Sequence, residues 1–144
     1  MEKKMNTTKY GKYIVTEFKP KTFDSSYEPT YRPEEFLNIL NLNDSVVKGA
    51  FPVHTNWFFP SQDLSRADRQ LKQHRHDFDE VLAMFGSNPE DSYDLGAECE
   101  FWLGDEKHII TKSCIIFIPK GLQHGPAGFN RIDRPVFQFS IMKK

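Results

Sequence analysis

The sequence predicts an all-β domain, a sandwich or a barrel, on three observations. From Val46 onward the apolar residues fall into short runs, broken at Pro60-Ser61, Ser87-Asn88-Pro89, Gly104-Asp105 and Pro119-Lys120-Gly121. Leu95, Ala97, Cys99, Phe101 and Leu103 alternate with Gly96, Glu98, Glu100 and Trp102, the period of two that gives a strand one apolar face. Aromatic residues make up 14% of the chain, thirteen of them Phe, and aromatics favour pleated strands.

Taken in order, residues 1–10 are polar and are expected to form a flexible tail. Residues 12–18, Lys-Tyr-Ile-Val-Thr-Glu-Phe, read as a first strand, followed by a loop over residues 20–30. Pro33 precedes Glu34 and Glu35, and Phe36, Leu37 and Leu40 fall at helical spacing, which predicts a short N-terminal helix. These elements, residues 11–45, lead into a barrel expected over residues 46–144, all within one domain. Its strands are expected at 46–50, 53–59, 73–76, 78–85, 95–103, 107–112, 114–118 and 136–142, with Gly104-Asp105 as a hairpin turn. Residues 60–72 are polar and read as a loop or a marginal helical turn.

Composition narrows the function. A chain of 144 residues buries a core without disulfide staples. A net charge of -1 supplies no field to recruit nucleic acid or an acidic membrane, and no helix-turn-helix segment is visible. No apolar run is long enough to span a bilayer, and Met1-Glu2-Lys3-Lys4 begins no secretory signal. Two cysteines, Cys99 and Cys114, make no disulfide framework. The expected location is cytoplasmic.

The chemistry concentrates at residues 74–80, His-Arg-His-Asp-Phe-Asp-Glu. On a helix, residues two apart point to nearly opposite sides. On a strand His74 and His76 leave from one face, about 7 Å apart along the backbone, and both imidazoles can converge on one ion. Glu80 shares their parity and reaches the same centre if the strand bends. His124, just after Pro119-Lys120-Gly121, offers a third imidazole. Three imidazoles and a carboxylate suit one divalent transition metal ion (Fe, Mn, Ni, Co, Cu or Zn), with positions left for water or a substrate.

His74-x-His76-x3-Glu80-x5-Gly86 resembles the first cupin motif, and Pro119-x-Gly121-x2-His124 resembles the second, with intervening strands in the matching order over roughly residues 46–142. The resemblance implies a double-stranded β-helix, or jelly-roll barrel, and metal ligation by His74, His76, Glu80 and His124. Three positions depart from the pattern: Asp68 and Ser113 replace glycines, and Gly128 replaces an Asn. All four ligand types are retained.

Cupins of this kind include dioxygenases and isomerases or lyases. The resemblance therefore implies an enzyme acting on a small polar or carboxylated molecule inside the barrel, with Glu80 or His54 moving a proton. The alternative is a barrel that binds a small ligand or a metal without turnover. Other residues carry narrower expectations. Strand alternation points Arg75 away from the ion. Cys99, and with it Cys114, reads as a buried small hydrophobe. Trp57, Phe58, Phe59 and Trp102 read as core or interface, with one or two flooring a pocket. Lys120, Arg131 and Arg134 are candidates to hold a substrate carboxylate. Gln138, Ser140, Glu98 and Glu100 are candidates to orient the imidazoles. The Phe content and the first strand suggest a homodimer.

Overall fold

A computed structural model describes residues 8–21, 27–61 and 69–144. The expectations for residues 1–7, for Asp68, for the 22–26 part of the 20–30 loop and for most of the 60–72 loop lie outside the described residues. Eight strands follow in order: β1 (Phe36–Leu42), β2 (Val53–Phe58), β3 (Asp79–Gly86), β4 (Asp94–Leu103), β5 (Glu106–Lys112), β6 (Cys114–Ile118), β7 (His124–Ile132) and β8 (Val136–Lys143). They form a five-stranded sheet of order β1-β2-β8-β3-β6 and a three-stranded sheet of order β5-β4-β7. Every pairing between them is antiparallel.

The core lies between the sheets. Strand β4 buries Leu95, Ala97, Cys99 and Phe101, the face that its alternation predicts. Leu82 and Met84 of β3, Ile118 of β6, Phe129 of β7 and Val136 of β8 pack against them. Gly104 takes φ +59 in the expected turn between β4 and β5, a conformation in which a Cβ would be strained.

Three N-terminal expectations are corrected. No helix forms at residues 33–40: residues 33–35 make a turn and β1 begins at Phe36, before the expected start of the barrel. The turn is held by Glu35, whose buried carboxylate accepts from the Arg32 backbone N–H at 3.0 Å and pairs with the Arg32 and Arg69 guanidinium groups at 2.8 Å. Pairing with β2 then joins half-buried Asn38 to buried Asn41 in a reciprocal amide pair, which helical propensity does not register. Residues 12–18 form no strand, and the short helical piece is a 3-10 turn at Gly11–Tyr13. Residues 46–50 also form no strand. Asn43 accepts from the Ser45 and Val46 N–H groups and curls this segment into a turn instead.

Strand β7 was not anticipated, because Gly125, Pro126 and Gly128 read as loop residues. Both glycines are required by close approach. A Cβ on Gly125, at φ +86, would stand 3.0 Å from the Lys72 carbonyl oxygen, and one on Gly128 would stand 3.2 Å from the Arg69 carbonyl oxygen. Gly128 replaces the Asn of the cupin pattern because the Arg69–Gln70 backbone passes there. Ser113, at the other departure, accepts from the Gly86 N–H and donates to the Ser92 carbonyl, so its hydroxyl fastens the β5–β6 turn.

The outward face of the five-stranded sheet is apolar. Trp57 pairs with Phe137, which pairs with Phe85; Phe139 pairs with Ala83, which pairs with Ile115; Ile141 pairs with Val81, which pairs with Phe117.

Candidate metal centre

Three segments bring His74, His76, His124 and Glu80 together. His74 lies in the linker before β3, where it exchanges both backbone N–H···O bonds with His124, each 2.9 Å. His124 opens β7, and Glu80 points inward from β3. His76 is held by its carbonyl, which accepts from the Gly121 N–H at 2.8 Å. The two motifs are thus stitched to each other by backbone bonds. The 73–76 segment is a single bridge at His74 and not the full strand expected.

The imidazole nitrogens of His74, His76 and His124 that could take an ion all lie within 4.8 Å of one another. His74 Nε2 is 3.1 Å from His76 Nε2, and Glu80 Oε1 lies 3.3 Å from His76 Nε2 and 3.8 Å from His124 Nε2. Two donors about 2.1 Å from a common ion stand about 3.0 Å apart at a right angle and about 3.4 Å apart at the tetrahedral angle. Two of the three separations fall in that window, and the third is slightly wide.

Hydrogen bonding decides which nitrogens face the centre. His74 Nδ1 donates to the Lys72 carbonyl at 2.7 Å and His124 Nδ1 to the Leu122 carbonyl at 3.0 Å. Each ring therefore keeps its proton on Nδ1 and turns an Nε2 lone pair inward. The imidazoles are oriented by backbone carbonyls and not by the polar side chains considered as candidates. His124 Nε2 and Glu80 Oε1 are buried without a hydrogen-bond partner among the described residues. A buried acceptor left unpaired is costly, and a cation between them would satisfy both. The residues present fit a divalent ion.

Burial disfavours the charged form of two of the imidazoles, His74 and His124. It pushes His74 down to about 4, outweighing the bond to Lys72, and neighbouring His124 and His76 act in the same direction. Burial also lowers His124, against the opposing pull of the Leu122 carbonyl and Glu80. Neutral imidazole is the form that ligates. Tyr27 stacks on His74 with ring centroids 3.9 Å apart, and Phe78 stacks on His76 at 4.5 Å.

Beside the ligands lies a cavity of about 150 Å³, the size that accepts a benzene-sized molecule. One wall is polar: His54 and Asn56 of β2 face Ser140 and Gln138 of β8. Asn56 Nδ2 donates to Gln138 Oε1 at 2.6 Å, and Gln138 Nε2 donates to Ser140 Oγ at 2.9 Å. The opposite wall is apolar, with Cys99, Phe101 and Phe129, and Phe58 contributes as expected. Burial raises the Cys99 thiol to about 12, which leaves it an inert hydrophobe. His54 is pushed down to about 4, by burial first and the Lys21 charge second. Lys21 and Glu28 also line the cavity and pair at 3.4 Å.

Several candidates lie elsewhere. Lys120 pairs with exposed Asp77, Arg131 pairs with Glu98 and Asp133, and Arg134 packs over Gly96, so none lines the cavity. Glu98 binds Asn130 and Arg131 on the outer surface, and Glu100 does not line the cavity either. Arg75 points away from the centre to Gln123, as alternation predicts. Trp57 sits against Phe137 on the outer face. The sequence reading missed Lys21, Tyr27 and Asn56, whose flanking residues carry no motif.

No family model matches the sequence, and no curated protein matches it. Solved structures do resemble it. An RmlC-like cupin from Shewanella frigidimarina aligns over 90% of this chain and 96% of its own, at 13% identity and a TM-score of 0.48. A cupin protein from Bacteroides fragilis aligns over 83% and 85%, at 15% identity and a TM-score of 0.49. A protein with a double-stranded β-helix domain from Klebsiella pneumoniae aligns over 86% and 90%, at 14% identity and a TM-score of 0.45. These likenesses carry no substrate or reaction to this chain. No helix among the described residues is long and apolar enough to cross a membrane. The chain's own strand pairing, two antiparallel sheets closed over one core, agrees with the jelly-roll fold that the motif resemblance implies.

Proposed function

We propose that this chain holds one divalent transition metal ion through His74, His76, His124 and Glu80, and acts as an enzyme on a small polar or carboxylated molecule in the adjoining cavity. The observation that carries the reading is the pair of buried, unpartnered acceptors, Glu80 Oε1 and His124 Nε2, beside two imidazoles that also aim inward. An ion bound there would serve as a Lewis acid for substrate oxygens.

The chain's own groups support chemistry beside it. His54 lines the cavity as a neutral imidazole within its wall. Isomerase or lyase chemistry, with Glu80 or His54 moving a proton, and oxygenase chemistry are the two reaction readings. Lys21 offers a carboxylate a cationic partner in exchange for Glu28. Phe101 and Phe129 give the cavity an apolar wall against which the carbon part of such a molecule can pack.

Elemental analysis of purified protein, with titration of Mn(II), Co(II) and Zn(II) into chelator-stripped protein, tests the metal. About one ion per chain is expected, lost in both His76→Ala and His124→Ala. Stoichiometric metal retained in both variants sinks the ligand set. With Co(II) bound, small carboxylates such as acetate and benzoate are expected to shift the visible spectrum. A spectrum unmoved by any of them counts against a substrate site at the ion.

A further inference from the structure

Strands β2 and β8 carry their polarity inverted: His54, Asn56, Gln138 and Ser140 line the cavity, while Phe137, Phe139 and Ile141 face outward. The amides among them belong to a hydrogen-bonded row whose direction is fixed at its far end. Asn41 and Asn38 each give an amide N–H to a backbone carbonyl, of Lys19 at 2.7 Å and of Thr55 at 3.1 Å, and a carbonyl only accepts. Asn38 Nδ2 is thereby the donor to Asn56 Oδ1, at 3.1 Å. That turns Asn56 Nδ2 to Gln138 Oε1 at 2.6 Å, and Gln138 Nε2 to Ser140 Oγ at 2.9 Å. Every bond in the row donates towards Ser140. The Ser140 hydroxyl accepts the last of them, and its own proton goes to no acceptor among the described residues. Ser140 is 7% exposed and lines the cavity. A buried hydroxyl proton at a cavity wall calls for an acceptor inside it.

Strand register places this donor relative to the proposed ligands. The inward residues of β8 run Met142, Ser140, Gln138, paired in turn with Glu80, Leu82 and Met84 of β3. Ser140 thus stands one inward row beyond Glu80, about 7 Å along the strand. On the facing sheet the inward pair beyond Leu103 and His124 is Phe101 and Ala127, both buried and apolar. We propose that Ser140 determines specificity: it donates to a second oxygen of a molecule whose first oxygen lies at the ion, and that second oxygen is a carbonyl or carboxylate. The ligand class is a short oxo acid or dicarboxylic acid, its carbon link packed against Phe101. A methylene in place of the second oxygen leaves the Ser140 proton unpaired, a cost that the oxygen removes. The proposal rests on the reading of His74, His76, His124 and Glu80 as a metal centre. Ser140 is not among those ligands, so the centre can stand while the Ser140 assignment falls.

Calorimetric titration of pentanoate and 4-oxopentanoate, which differ by one carbonyl oxygen, into the Co(II)-loaded full chain tests the proposal in wild type and Ser140→Ala. Elemental analysis of both samples comes first, with about one ion per chain expected in each. A wild type that holds no ion overturns the metal reading and this proposal with it. With the ion in place, wild type is expected to bind 4-oxopentanoate about 3- to 10-fold more tightly than pentanoate, the worth of one neutral hydrogen bond. In Ser140→Ala that ratio is expected to fall to about one, with pentanoate affinity little changed. Equal affinities in wild type, a preference that survives in Ser140→Ala, or no binding of either acid at millimolar concentration overturns the Ser140 assignment and leaves the metal reading standing. Should Ser140→Ala misfold, the infrared carbonyl stretch of 4-oxopentanoate bound to wild type decides. A frequency below that of 2-pentanone in hexane is expected, and one equal to it overturns the assignment.

Discussion

His74 and His124 exchange both of their backbone N–H···O bonds at 2.9 Å, so two of the proposed ligands are fixed to each other before any ion arrives. The crossing is possible because Gly125 follows His124 at φ +86, with the Lys72 carbonyl oxygen 3.0 Å from where a Cβ would stand. Gly125→Ala forces a residue with a side chain into left-handed backbone and against the 72–73 segment. We expect a loss of about 1–3 kcal/mol in the unfolding free energy of the metal-free protein, with a tenfold or greater fall in metal affinity. Urea unfolding and metal titration read these separately. Unchanged affinity in a destabilised variant would show that the bridge does not preorganise the ligands.

Tyr27 stacks face to face on His74, with ring centroids 3.9 Å apart. Tyr27→Ala removes that wall and frees the ring to rotate about its bond to the Lys72 carbonyl. Partners that orient a ligand are typically worth 10- to 100-fold in metal affinity. We expect the lower end of that range for Tyr27→Ala and near-wild-type affinity for Tyr27→Phe, measured by competition with a chromophoric chelator.

Glu35 sets an acid limit on the N-terminal turn. Burial alone would raise its pKa, but hydrogen bonds from the Arg32 backbone, Arg32 and Arg69 outweigh it and hold the carboxylate at about 2, below its ordinary value of 4.5. A folded-state pKa below the unfolded one means that Glu35 contributes its full stability above pH 4.5 and loses it as pH falls towards 2. The melting temperature of wild type should therefore drop across that interval, and the drop should be shallower in Glu35→Gln. At neutral pH the same variant should melt lower than wild type. Parallel melting curves against pH would show that this carboxylate is not the group responsible.

How much of this was legible follows from where the information sits. Strands β2 to β6 and β8 announce themselves through short runs and turn residues, and β4 through strict alternation. The proposed ligands His74, His76, Glu80 and His124 are legible because each of the two motifs that carry them is local in sequence. What failed was tertiary. Strand β1 looks helical until β2 pairs with it and Asn38 bonds to Asn41, and β7 looks like a loop until the 69–74 segment passes close over its glycines. Lys21 and Tyr27 reach the site from a loop whose sequence has no periodicity. The inverted polarity of β2 and β8 was also hidden, because alternation alone does not say which face is inside.

Asn56 and Gln138 make that inversion testable. Asn56 Nδ2 donates to Gln138 Oε1 at 2.6 Å and Gln138 Nε2 to Ser140 Oγ, all three residues being buried. Gln138→Leu leaves the Asn56 donor without its acceptor, at a cost of about 1–3 kcal/mol. Adding Asn56→Leu removes the stranded donor, and Asn38 Nδ2, which also donates to Asn56 Oδ1, still has Asn41 Oδ1 and the Thr55 carbonyl. The double variant should therefore recover most of the loss, with a coupling energy of about 1 kcal/mol or more in a double-mutant cycle. Neither residue is among the proposed ligands, so bound metal should stay at wild-type level in all three variants. If the polar wall receives the small molecule, carboxylate-induced changes in the Co(II) spectrum should weaken even where stability has recovered. Full recovery of both would assign Asn56 and Gln138 to packing alone.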